Sequence, residues 1–86
     1  MDIEFVKEKL IQLISSIKGK TVESIGPLPD TEDFISTLSF DSIESVKLTL
    51  EIGTVFNIDF GEDIDDVDSL SSIGSLAEQI HRRALA

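Results

Sequence analysis

The run Asp41-Ser42-Ile43-Glu44-Ser45-Val46-Lys47-Leu48-Thr49-Leu50-Glu51-Ile52-Gly53-Thr54-Val55-Phe56 decides how this chain folds. Placed at about 100° per residue, Leu48, Ile52, Val55 and Phe56 share one face, while Ile43, Val46 and Leu50 share a second, nearly opposite one. Glu44, Lys47 and Glu51 form a narrow polar wedge between them. A helix from Ser42 to about Phe56 is expected, with Asp41 as its N-cap, because a carboxylate there accepts hydrogen bonds from first-turn N–H groups. A helix apolar on two sides is either packed from both directions or keeps one face for something outside the domain. Gly53 costs about 1 kcal/mol relative to Ala and weakens the end of the helix.

On the N-terminal side, Ile3, Val6, Leu10, Leu13, Ile14 and Ile17 recur at three- and four-residue steps, which predicts an amphipathic helix from Asp2 to Ile17. Asp2 and Glu4 suit its positive end, and Lys18 with Gly19 closes it. Gly19 to Asp33 contains Gly26, Pro27, Pro29 and Asp30 and reads as a long ordered loop, with Val22, Ile25 and Leu28 docked on the core. On the C-terminal side, Asn57 to Phe60 breaks the helical period. Gly61 then opens the acidic run Glu62-Asp63-Ile64-Asp65-Asp66-Val67-Asp68, with room for one or two helical turns that compete to cover Val46 and Leu50. A last helix is expected from about Ser72 to Leu85, with Ile73, Leu76, Ala77, Ile80 and Ala84 inward. Ser71 or Ser72 would cap it, and Arg82 and Arg83 suit its negative end. The expected fold is all-α: a single domain, residues 1–86, forming a small antiparallel four-helix bundle. It has three main helices, one short one, and a long loop between the first two.

Composition narrows the function. Eighty-six residues allow one small domain. The absence of cysteine excludes a disulfide framework, a thiolate metal site and a cysteine nucleophile. The formal net charge of −10 would repel nucleic acid rather than bind it. Leu, Ile, Val and Phe supply 31 of the 86 residues, enough for a core. No membrane span or signal peptide is discernible, so a cytoplasmic monomer is expected, and Met1 followed almost at once by a helix is expected of a discrete chain. His81, the one histidine, has no G-x-S-x-G serine to serve and is expected on an exposed helix turn. A calcium loop starting at Asp63 would need Asp or Asn fifth, Gly sixth and Glu twelfth, where Val67, Asp68 and Gly74 stand. The acidic run therefore reads as a solvated face, and no metal site is assigned.

Asp-Ser before an apolar helix would ordinarily be a cap and nothing more. Here it is preceded by Phe34-Ile35-Ser36-Thr37-Leu38-Ser39-Phe40 and followed by Val46, Leu48, Ile52, Phe56 and Asn57-Ile58-Asp59-Phe60. This resembles the acyl carrier protein family, whose signature F-x-x-D-L-G-x-D-S-L opens a helix ending in L-x-x-x-F-x-I-x-I. Ser72-Ile73-Gly74-Ser75-Leu76-Ala77-Glu78-Gln79-Ile80 is similar to the family's last helix, commonly T-V-G-D-L-V-x-x-I, so the likeness covers about Phe34 to Ile80.

The resemblance implies a carrier rather than an enzyme. Ser42 would bear a covalent 4′-phosphopantetheine arm, taken from coenzyme A by a phosphopantetheinyl transferase. The thiol of the arm would hold acyl groups as thioesters for loading and processing enzymes such as an acyltransferase, ketosynthase or ligase. Partner recognition would fall to Asp41, Ile43, Glu44, Val46, Lys47, Leu50, Glu62 and Asp63. Between Asp30 and Leu70 stand 12 acids and one base, a local charge of −11, so the surplus negative charge surrounds Ser42 and would steer basic partner surfaces. Thr37 replaces the signature's first aspartate, Ser39 its glycine and Ile43 its final leucine. With Lys47, Gly53 and Thr54 on the recognition helix, these departures point to a dedicated polyketide, hybrid peptide or specialised-lipid pathway rather than general fatty-acid synthesis. Asp41 before Ser42 favours an acyl over a peptidyl (aminoacyl) carrier of nonribosomal peptide synthesis. The alternative from another class is a small acidic interaction module without a prosthetic group, in which Ser42 only helps to start the helix.

Overall fold

Each long helix forms where the chain supplies its own cap. The computed structural model describes residues 2–26 and 28–85. Helix α1 (Ile3–Lys18) starts at Asp2, whose carboxylate accepts the Phe5 N–H at 2.9 Å, and ends at Gly19, whose N–H donates to the Ser16 carbonyl. Its Val6, Leu10 and Ile14 are wholly buried. Two four-residue helices follow, α2 (Val22–Ile25) and α3 (Phe34–Thr37), started by the side chains of Thr21 and Asp33. Helix α4 (Ser42–Phe56) carries the run quoted above and buries Leu48, Ile52 and Phe56. Helix α5 (Ile64–Asp68) runs into a 3-10 turn (Ser69–Ser71), and α6 (Ile73–Leu85) completes the chain. Ser72, rather than Ser71, starts α6: its Oγ accepts the Ser75 N–H at 3.2 Å.

The result is an all-α bundle with no strand among the described residues, as expected. Helix α1 packs against both α4 and α6. The core joins Val6, Leu10 and Ile14 to Leu48, Ile52 and Phe56 and to Ile73, Leu76, Ala77 and Ile80, closed by Phe34, Phe40 and Phe60. Phe34 and Phe40 meet edge to face with ring centres 5.6 Å apart.

Several expectations need correction. The long connection contains α2 and α3, because Thr21 and Asp33 each cap one turn that is too short to show a hydrophobic period. Ile25 and Leu28 do pack on the core, but Val22 in the first turn of α2 is 41% exposed; Pro27 lies outside the described residues. Val55 is 43% exposed, since three residues at about 100° set it some 60° round from Ile52, at the edge of the buried stripe. Ala84 and His81 are both half-buried: Ala84 lies beyond the fully covered part of α6, and His81 follows directly on buried Gln79 and Ile80.

Two close approaches fasten the connecting segments. The Gly74 N–H donates to the Asp30 carbonyl at 2.8 Å, and the Ile73 N–H to the Glu32 carbonyl at 3.2 Å, so the loop supplies acceptors to the start of α6. A Cβ on Gly74 would lie 2.8 Å from the Asp30 Cβ and 2.9 Å from its carbonyl oxygen, a distance that only glycine permits. The Lys7 ammonium reaches the Asp30 carboxylate at 3.0 Å, tying the same loop to α1.

The second approach lies at the acidic run. Gly61 has φ 102°, a conformation reserved for glycine, and passes so close to α4 that an added Cβ would sit 3.2 Å from the Thr49 Cβ. Five residues on, Asp66 is buried at 1% exposure, which corrects its assignment to a solvated face. Its carboxylate accepts from the Gly61 N–H (3.1 Å), from Gln79 Nε2 (2.8 Å) and from Arg83 Nη1 on both oxygens (2.8 and 2.9 Å). Arg83 also donates to the Asp59 carbonyl and lies 3.6 Å from Asp63. A carboxylate buried with four such contacts is satisfied, and Asp63, Asp65 and Asp68 keep the exposed positions.

Candidate functional site

Ser42 is exposed at the first position of α4, a 15-residue helix. Asp41 and Glu44 build a reciprocal cap around it. The Glu44 N–H donates to Asp41 Oδ1 at 2.7 Å, and the Asp41 N–H donates to Glu44 Oε1 at 3.1 Å. Asp41 therefore acts as the cap that the sequence predicts, and its carbonyl takes the Ser45 N–H at 3.0 Å. No described residue accepts the Ser42 or Ile43 N–H, so the positive end of the helix keeps two donors beside the hydroxyl.

Glu44 is also held from the side. Lys18, the last residue of α1, donates from Nζ to both Glu44 oxygens at 2.9 and 3.1 Å and to the Ser39 carbonyl at 3.3 Å. Its ammonium lies 5.3 Å from the centre of the Phe40 ring. The Lys18 hydrogen bond, reinforced by the Asp41 N–H and the lysine charge, holds the Glu44 carboxyl below its ordinary range. Glu44 thus anchors the turn before Ser42, and its carboxylate is only partly available to a partner.

Ser39, where the carrier signature has glycine, has φ 55° and sits in the left-handed region. Sequence reading marks Ser39 as a departure; it gives no sign that Lys18, 21 residues earlier, receives the carbonyl of that residue.

The second face of α4 is uncovered. Ile43, Val46 and Leu50 are 77%, 58% and 66% exposed, because α5 packs against α6 instead of lying over them. Ile64 and Val67 of α5 are also exposed, at 72% and 50%. Lys47 and Glu62 are exposed. Asp63 starts α5 without a side-chain cap bond and, with Asp59, Glu62 and Arg83, lines a surface hollow of about 360 Å³. Among the described residues no three His, Asp or Glu side chains come together as metal ligands, and no helix is long and apolar enough to cross a membrane.

Compared with models of known protein families, the chain matches none, and no curated protein matches it either.

Proposed function

We propose that the chain is an acyl carrier, modified at Ser42 with 4′-phosphopantetheine and acting in the cytoplasm on a dedicated polyketide, hybrid peptide or specialised-lipid pathway. The observation that carries this reading is an exposed serine opening a capped, 15-residue helix within the carrier-like run Phe34 to Phe60. The local chemistry suits the group. A phosphodiester on Ser42 would lie beside the spare N–H groups of Ser42 and Ile43, at the positive end of the helix. The attached arm supplies a thiol, and therefore thioester chemistry, to a chain with no cysteine. The exposed Ile43, Val46 and Leu50 offer apolar contact to the transferase and to acyl-processing enzymes, and the surrounding carboxylates draw basic surfaces toward it.

Incubation with a promiscuous phosphopantetheinyl transferase and coenzyme A, followed by intact mass measurement, tests the reading. The expected result is a gain of one phosphopantetheine, abolished by Ser42→Ala. No gain, or a gain that survives the substitution, rejects it. The uncovered α4 face favours a second reading, an interaction module that binds a partner through Ile43, Val46 and Leu50 with Ser42 unmodified. Under that reading the mass stays unchanged.

A further inference from the structure

We propose that Lys18 is a positioning residue for the modification of Ser42: its ammonium holds the left-handed turn at Ser39 in the shape that presents the serine to a transferase. The inference rests on the carrier reading of Ser42.

The argument starts at the backbone. Ser39 at φ 55° has a Cβ where the left-handed conformation crowds it, a cost equivalent to roughly a tenfold loss of population. Asn57, which closes α4 at φ 54°, is a residue type that visits this region readily; serine has less tolerance for it. The turn is nevertheless fixed on both sides. Its N–H groups are taken by α3, Ser39 donating to the Ser36 carbonyl at 3.2 Å and Phe40 to the Ile35 carbonyl at 2.9 Å. The Ser39 carbonyl itself faces Lys18.

Lys18 can hold it because its own backbone is fixed at the end of the longest helix, against the Gly19 cap. One ammonium then meets groups on both sides of Ser42: the Ser39 carbonyl and the Phe40 ring before it, and the Glu44 carboxylate in the first turn after it. Glu44 passes the constraint on through the reciprocal bonds with Asp41, the residue before Ser42. The Lys18 and Glu44 side chains are 15% and 25% exposed, so the bonds between them are part-buried, while the bond to the Ser39 carbonyl is exposed. Without the ammonium the turn samples other shapes, and only the remaining competent fraction can be modified, which raises the apparent KM and leaves kcat alone.

The test is a kinetic comparison of wild type, Lys18→Met, Lys18→Arg, Ser39→Gly and the double variant Lys18→Met/Ser39→Gly. Phosphopantetheine transfer is followed by intact mass at varied carrier concentration, and each protein is also melted. Lys18→Met is expected to raise KM for the carrier about tenfold with kcat unchanged. Lys18→Arg should retain most of the rate. Glycine takes a positive φ without steric cost. Ser39→Gly should therefore restore KM in the Lys18→Met background while the melting temperature stays lowered, a separation that a general loss of stability would not produce. Equal KM in wild type and Lys18→Met overturns the positioning role alone, as does a double variant as impaired as Lys18→Met. Should Lys18→Met fail to fold, Lys18→Gln paired with Ser39→Gly makes the same comparison. A wild-type chain that gains no mass overturns the carrier reading, and this role with it.

Discussion

Arg83, in the last turn of α6, holds the buried carboxylate of Asp66 at 2.8 Å and thereby pins the acidic segment to the far end of the chain. The pair is asymmetric: Asp66 is 1% exposed and Arg83 27%, so the carboxylate alone bears most of the cost of leaving water.

Arg83→Met should therefore destabilise the fold by about 3 kcal/mol, because Asp66 would keep only the Gln79 and Gly61 donors. Urea unfolding measures this. Asp66→Leu with Arg83→Met should cost less than the sum of the two single changes, by about 1 kcal/mol or more. Strict additivity would show that the pair contributes little.

Gly74→Ala puts a methyl group against the Asp30 backbone, where no flexible side chain can give way. A small gain in helix propensity is outweighed by the displaced loop, and a net loss of about 1–2 kcal/mol is expected. Thermal unfolding checks the size of the effect. Amide shifts confined to the segment around Asp30 and Glu32 check its location.

The Lys18–Glu44 pair makes stability depend on acid pH in a definite direction. Glu44 is held below the ordinary value of 4.5, so in this pair the folded state favours the ionised carboxylate. That contribution is fully present above 4.5 and is lost as pH falls through the lower folded value. Lys18→Met should move the Glu44 titration midpoint up toward its ordinary value, as read from the side-chain carboxyl signal by NMR. Lys7 shows the converse. Asp30 raises it above 10.5, so its contribution is complete below 10.5 and is lost as pH rises through the higher folded value.

Val46→Asp and Leu50→Asp replace apolar side chains that are mostly exposed and outside the core. Their unfolding free energies should stay within about 0.5 kcal/mol of wild type. If this face receives partner enzymes, both variants should show a raised KM in phosphopantetheine transfer. Wild-type kinetics in both would place the contact elsewhere.

How far the chain could be read depended on the range of its interactions. The bounds of helix α4 were legible because Asp41, the spacing of Leu48, Ile52 and Phe56, and Asn57 all lie within the helix or directly beside it. The exposure of Ile43, Val46 and Leu50 was legible only as an alternative, since their cover depended on where α5 would pack. Asp66 looked like its neighbours Asp65 and Asp68. Only the arrival of Gln79 and Arg83, 13 and 17 residues later, makes it a buried residue. Ser42 and Asp41 were legible as a pair, whereas the role of Lys18 depends on a distant carbonyl and a local φ value that side-chain chemistry does not encode.

The seam between Gly74 and Asp30 also bears on the order of folding. It joins residues half the chain apart, so its hydrogen bond closes a long loop and carries the entropy cost of doing so. Helices α1, α4 and α6 can form and collide first, with the connection between α1 and α4 still sampling many paths. Unfolding that accelerates in Gly74→Ala while refolding keeps its rate would mark the seam as a late latch, one that governs how slowly the finished domain reopens rather than how fast it assembles.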